Sequence, residues 1–203
     1  MKFFEIPGQI DLMTTMTLSQ VIASDIINDI DSTERSVFRD TGTAIATCFC
    51  NPVLHLKENH KFFVTPTIMT IGEDNLEDGI YCYASTEAIT ELPNMEEPYS
   101  GISFYGSFDL SKPKVIIRYN GEIIYHISVI VDGVQVTPHV ERKEVEGVPE
   151  EIYEIINQGI LDGITAVNLA KIAGYKQGLE AAAAEMNDSL KDTDTTEDAE
   201  EEE

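Results

Sequence analysis

Two histidines and two cysteines are the residues in this sequence best suited to chemistry. Read as a two-residue hairpin turn, Asp132-Gly133 sets Val131 opposite Val134 and places His126 directly opposite His139. Imidazoles on neighbouring strands can share a divalent metal. Cys48 and Cys50, two apart and so on one face of an extended strand, would add soft sulfur ligands. No paired C-x-x-C spacing supports a zinc half-site, and nothing else in the sequence requires the four residues to meet. A polar cross-strand pair and reduced core thiols are the expected state, with no metal and no cofactor.

Catalytic motifs are missing in the same way. There is no phosphate-binding G-x-x-x-x-G-K-S/T, no G-x-S-x-G nucleophile turn and no H-E-x-x-H metal helix. Glu73, Asp74, Glu77, Asp78, Glu96 and Glu97 gather in predicted loops, where paired carboxylates can hold calcium or move protons. With 37 acids in the chain against 13 bases, abundance alone explains such pairs. The expectation is a non-enzymatic protein.

The formal net charge is −24. Part of it is a terminal run, Asp192, Asp194, Glu197, Asp198, Glu200, Glu201, Glu202 and Glu203, with no base and nothing apolar to bury, which predicts a disordered interaction tail over 191–203. Outside that run 29 acids still face 13 bases, so the body is acidic too. Such a body repels phosphate backbones and favours basic protein partners or plain solubility.

The elements that position these residues centre on Lys114 to Val140. Asn120-Gly121 and Asp132-Gly133 separate β-branched runs, predicting a three-stranded antiparallel meander. Alternation puts Ile116, Ile123, Tyr125, Ile127, Val129, Val131, Val134, Val136 and Val140 on a buried face. Ile117, Ile124, Ser128, Ile130, Gln135 and Thr137 take the other. Upstream, Thr43 to Leu56 reads as two short strands, or one bulged strand, interrupted at Asn51-Pro52. Further strands are expected at Phe62 to Ile71, Ile80 to Ala84 and Ile102 to Phe108, where Gly106 marks a bulge, and a helical turn at Thr86 to Leu92.

Thr17 to Ile30 has helical spacing, and Pro149-Glu150-Glu151 opens a helix whose face carries Ile152, Ile156, Gly159, Ile160 and Gly163. The small-residue spacing of Gly159 and Gly163 allows a close approach to the sheet or to another copy. The division expected is a helical lead-in over 1–42, an antiparallel β domain over 43–148, a helix over 149–190 and the tail. The fold class expected is mostly β (α+β), a sandwich or partly open barrel flanked by a short N-terminal and a long C-terminal helix.

Leu169 to Leu179, LAKIAGYKQGL, resembles the turn of helix-turn-helix DNA-binding proteins, with alanine followed four residues on by glycine. The recognition helix that this resemblance implies, QGLEAAAAEM, is acidic and has no arginine or lysine to meet phosphate or guanine.

Three functional expectations follow. The first is a non-enzymatic interaction or assembly protein with a basic partner or a second copy, similar in style to small accessory or virion-associated phage proteins. The second is a single-stranded nucleic-acid binder built on an oligonucleotide-binding barrel, with Tyr81, Tyr83, Phe104 and Tyr105 available to stack bases and the acidic tail competing for the groove. The third is an acidic mimic of DNA. No signal peptide or long apolar run is present, so no membrane is expected as a partner, and the location expected is cytoplasmic, that of the host cell if the protein is viral.

Overall fold

The computed structural model describes residues 4–5, 32–65, 67–70, 77–91, 93, 97–107, 109 and 111–197. The helix expected at Thr17 to Ile30 and the last six tail residues lie outside them. The chain divides into two units, Met1–Thr165 and Ala166–Glu203, and the fold below is that of the first.

At its centre is α1 (Ser32–Glu58). This corrects the expectation of strands over Thr43 to Leu56. Thr41, Ala44, Ile45, Cys48, Phe49, Val53 and Leu56 recur every three or four residues and are buried, a helical period that the β-branched and aromatic composition disguises. Ala46, Thr47 and Cys50 are buried as well, so α1 is covered nearly all round. Pro52 deprives the helix of one backbone donor. Side chains supply further bonds to its carbonyls: Thr41 Oγ1 donates to Val37 O at 2.8 Å, Thr47 Oγ1 to Thr43 O at 2.7 Å and Asn51 Nδ2 to Thr47 O at 3.0 Å.

Around α1 the strands run β1 (Phe4–Glu5), β2 (Phe63–Val64), β3 (Ile68–Thr70), β4 (Gly79–Ser85), β5 (Ile102–Ser107), β6 (Lys114–Tyr119), β7 (Glu122–Asp132) and β8 (Gln135–Arg142). From β3 to β8 they pair with their sequence neighbours as an antiparallel meander, with β1 on β3 and β2 on β4. The antiparallel, mostly β character is as expected. The sheet is single and open, not a sandwich. Residues 86–91, expected to turn helically, are irregular.

The first hairpin forms as its sequence predicts: Asn120 and Gly121 have φ of 49° and 86°, and Tyr119 faces Glu122. The second is displaced by one residue. Gly133, at φ 58°, takes the first turn position and Val134 the second, so Asp132 faces Gln135. Gly133 supplies the positive φ at the first position of a glycine-first turn, a conformation that Val134 avoids.

A bulge on β7 also shifts the register, because Arg118 faces Ile123 while Ile117 faces Tyr125. Ile117 and Ile124 thereby join the core, both fully buried, and Ile116 moves to the opposite face. Gly106 is no bulge. It pairs regularly with Val115 and leaves room for Phe49, whose ring a Cβ there would meet at 3.2 Å.

Among the described residues β8 is an end strand of the sheet. Lys143 N–H donates to Ile124 O at 2.9 Å, which sets the alternation and turns Pro138 towards the open side, where its missing N–H interrupts the edge.

The helix α2 spans Glu150–Glu197, and its first turns close the unit over α1. Gly159 and Gly163 meet a helix rather than the sheet: a Cβ on Gly159 would lie 2.5 Å from Pro52 Cα, and one on Gly163 3.0 Å from Thr47 O. Tyr153 fixes the entry. Its hydroxyl donates to Lys143 O at 2.8 Å and accepts from Val145 N–H at 2.9 Å, while Arg142 lies 4.1 Å over its ring. The helix passes through Leu169 to Leu179 without the turn that the helix-turn-helix resemblance implies.

Candidate functional site

The sheet has one face towards α1 and one away from it, and its register sorts the candidate residues between them. One cross-strand row, Cys82, Phe104, Ile117 and Tyr125, faces α1 and is buried. The next row, Ile68, Tyr81, Tyr105, Ile116, His126 and Glu141, faces away. A third, Tyr83, Ser103 and Arg118, lies beside it on that outer face.

Phe104, expected among the base-stacking residues, is therefore a core residue, with its ring edge-on to Phe49 at 6.0 Å. Tyr81, Tyr83 and Tyr105 do share a face. Tyr83 and Tyr105 are only 5% and 4% exposed, and a stacking platform needs an open ring. Tyr81 lies tilted against Tyr105, with the ring centroids 4.9 Å apart. Their hydroxyls donate to the carbonyls of Glu77 and Asp78, at 2.9 and 3.3 Å. Burial first, then the negative charge of Glu77, pushes the Tyr81 phenol up to about 12; burial likewise takes Tyr83 to about 12. These phenols stay neutral and serve as packing and hydrogen-bonding groups.

Lys114 ties the loop before β4 to this face, its Nζ lying 2.7 Å from Glu77 Oε2 and 5.7 Å from the Tyr105 centroid. The hydrogen bond from Lys114, outweighing partial desolvation, holds the Glu77 carboxyl below its ordinary value. A depressed carboxylate stabilises the fold above its unfolded pKa and loses that contribution as pH falls through the folded one. Because Glu77 is 61% exposed, the contribution is only a few tenths of a kcal/mol. Urea unfolding near neutral pH and in acid should show slightly less acid sensitivity in Lys114→Met than in the unaltered chain; equal sensitivity would mean that the pair is not formed in solution.

The histidines fall where the displaced turn puts them. His126 faces Glu141 and His139 faces Ser128, so the two are not directly opposite as expected. Glu141 instead stands between them, 3.6 Å from His126 Nδ1 and 3.8 Å from His139 Nε2. Cys48 and Cys50 are buried on α1, in the core on the other side of the sheet, and burial pushes both thiols up to about 12. These two histidines and two cysteines, the candidate metal ligands of the sequence, are thus not brought together. Among the described residues no group of three His, Cys, Asp or Glu side chains is arranged to hold a metal. The side chains of Asp192, Asp194 and Glu197, and the whole of Asp198, Glu200, Glu201, Glu202 and Glu203, lie outside the described residues.

The feature that sequence reasoning missed is apolar. Beyond Ser128, β7 no longer pairs with β6, and β7 and β8 continue together as a two-stranded arm. Val129 and Val136 pin that arm into the core. Ile130, Val131 and Val134 at its end are 52%, 42% and 69% exposed. Had the turn been placed at Gly133-Val134, the sequence would have marked Val134 as an exposed tip residue. Among the described residues no helix is long and apolar enough to cross a membrane. No protein-family model, curated protein or solved structure matches this chain.

Proposed function

We propose that this chain is a non-enzymatic acidic interaction and assembly protein, and that the β7–β8 tip is its docking element for a basic protein partner. The observation that carries this reading is the exposed trio Ile130, Val131 and Val134 on an otherwise well-anchored hairpin. A two-stranded arm gains little stability from apolar side chains left in water, whereas covering them on a partner yields on the order of 3 kcal/mol. The net charge of −24 selects a basic partner and speeds its encounter. The three thiols are free and buried, which suits a cytoplasmic setting.

Affinity capture from nuclease-treated host extract tests this, using the intact chain and a triple variant, Ile130→Ser, Val131→Thr and Val134→Ser. A basic protein retained by the intact chain should be held on the order of 100-fold more weakly by the variant. Equal retention, or capture that nuclease abolishes, would overturn the reading.

A second reading, single-strand binding, draws on Tyr81, Lys114 and Arg118 sharing the outer face. It requires salt-sensitive oligonucleotide binding once Asp192 to Glu203 is removed. Its failure to appear at low salt would end it.

A further inference from the structure

The second unit, Ala166–Glu203, carries Leu169 and Ile172 at 61% and 65% exposed. Three apart on a helix, they share a face, and leaving that face in water is unfavourable. In sequence the two open a heptad. Leu169, Lys176, Ala183 and Leu190 fall at one seam position, and Ile172, Leu179 and Met186 at the other. A lone lysine within such a seam is the kind of polar interruption that sets register at some cost in stability.

Charge changes sign along the same segment. Over 166–178 the ionised side chains are Lys171 and Lys176, whereas over 179–197 they are Glu180, Glu185, Asp188, Asp192, Asp194 and Glu197, with Lys191 the one base. Two such helices side by side in parallel would set acidic half against acidic half. Running antiparallel, each basic half meets the other copy's acidic half.

We infer that the Leu169/Ile172 face is covered by the same helix of a second copy of this chain, antiparallel to the first. This deepens the assembly reading proposed above and rests on it for the role of the resulting dimer. The helix is the self-association element and the β7–β8 tip remains the one for the foreign partner.

Sedimentation equilibrium of the full chain, beside Ile172→Glu and the conservative Ile172→Leu, tests it. The intact chain and Ile172→Leu should dimerise at about 100 µM, with Ile172→Glu at least about tenfold weaker and its thermal unfolding by near-ultraviolet signal unchanged. A spin label at Lys191→Cys then reads direction. The native thiols are buried and pushed up to about 12, so they do not compete for the label. Antiparallel helices hold the two labels roughly 30 Å apart along the axis, against side by side in a parallel pair. A monomeric intact chain, an Ile172→Glu variant that dimerises equally well, or adjacent labels would each overturn the inference. A monomer that still captures its basic partner would defeat this inference alone, and a dimer that captures nothing would defeat only the tip reading.

Discussion

Replacing Gly159 by alanine is expected to destabilise the fold by about 2 kcal/mol, although alanine is the better helix former by about 1 kcal/mol. The added Cβ would stand 2.5 Å from Pro52 Cα, 2.7 Å from Pro52 N and 3.0 Å from the Asn51 carbonyl carbon. All three are backbone atoms, which cannot rotate aside as a side chain does. The two helices must separate, and separation loosens Ile156 and Ile160 along with Val53 and Leu56, all of them buried. Gly163→Ala should cost less, because its Cβ meets Thr47 O at 3.0 Å and a movable threonine methyl at 3.3 Å. Urea midpoints of the two variants measure this ordering. A neutral or stabilising Gly159→Ala, as helix propensity alone requires, would show that the crossing is not this close.

Tyr153→Ala should cost more still, about 3–5 kcal/mol. The side chain is 1% exposed, packs edge-on against Tyr125 at 6.0 Å and lies under the Arg142 guanidinium. Arg142 is itself held by Glu144 at 2.8 Å and Glu150 at 3.1 Å, so the ring is one part of a joint between β8 and the start of α2. Tyr153→Phe separates the contributions, keeping the ring and removing only the hydroxyl that serves Lys143 O and Val145 N–H. Its cost should be near 1 kcal/mol, since Lys143 is exposed and water can replace part of what is lost. Denaturant unfolding of the pair gives both numbers, and a phenylalanine variant as damaged as the alanine one would place the energy in the hydroxyl instead.

Where turn chemistry is unambiguous, the fold is legible from residues alone. Asn120-Gly121 specifies its hairpin because both residues tolerate positive φ, and the alternation along its second strand assigns Tyr125, Ile127 and Val129 to the core correctly. Asp132-Gly133-Val134 offers two turn placements differing by one residue. Asp-Gly suits one and a leading glycine the other, and local preference cannot choose between them. That single step moves His126 from His139 to Glu141.

The α1 segment fails for a different reason. Its threonines, valines, isoleucine and phenylalanines favour strands, yet burial on nearly all sides by the sheet and α2 rewards helix, and tertiary packing overrides propensity. The β7 bulge at Ile124, opposite Ile117 and Arg118, has no sequence marker at all, since Ile123 and Ile124 are equally apolar and only the pairing decides which faces the core. Gly159 and Gly163 were readable as a close approach, while their partner was not, because a helix hidden among strand formers cannot be named as one.

Docking through the β7–β8 tip, as we propose, would leave its mark on the backbone of that arm. Backbone amide exchange, measured on the chain alone and with its captured basic partner, tests it most directly. Exchange should slow at residues 130–135, with the outer-face strands around Tyr81, Tyr105 and Arg118 unchanged. Protection confined to those outer-face strands, with the tip exchanging as freely as before, would contradict it.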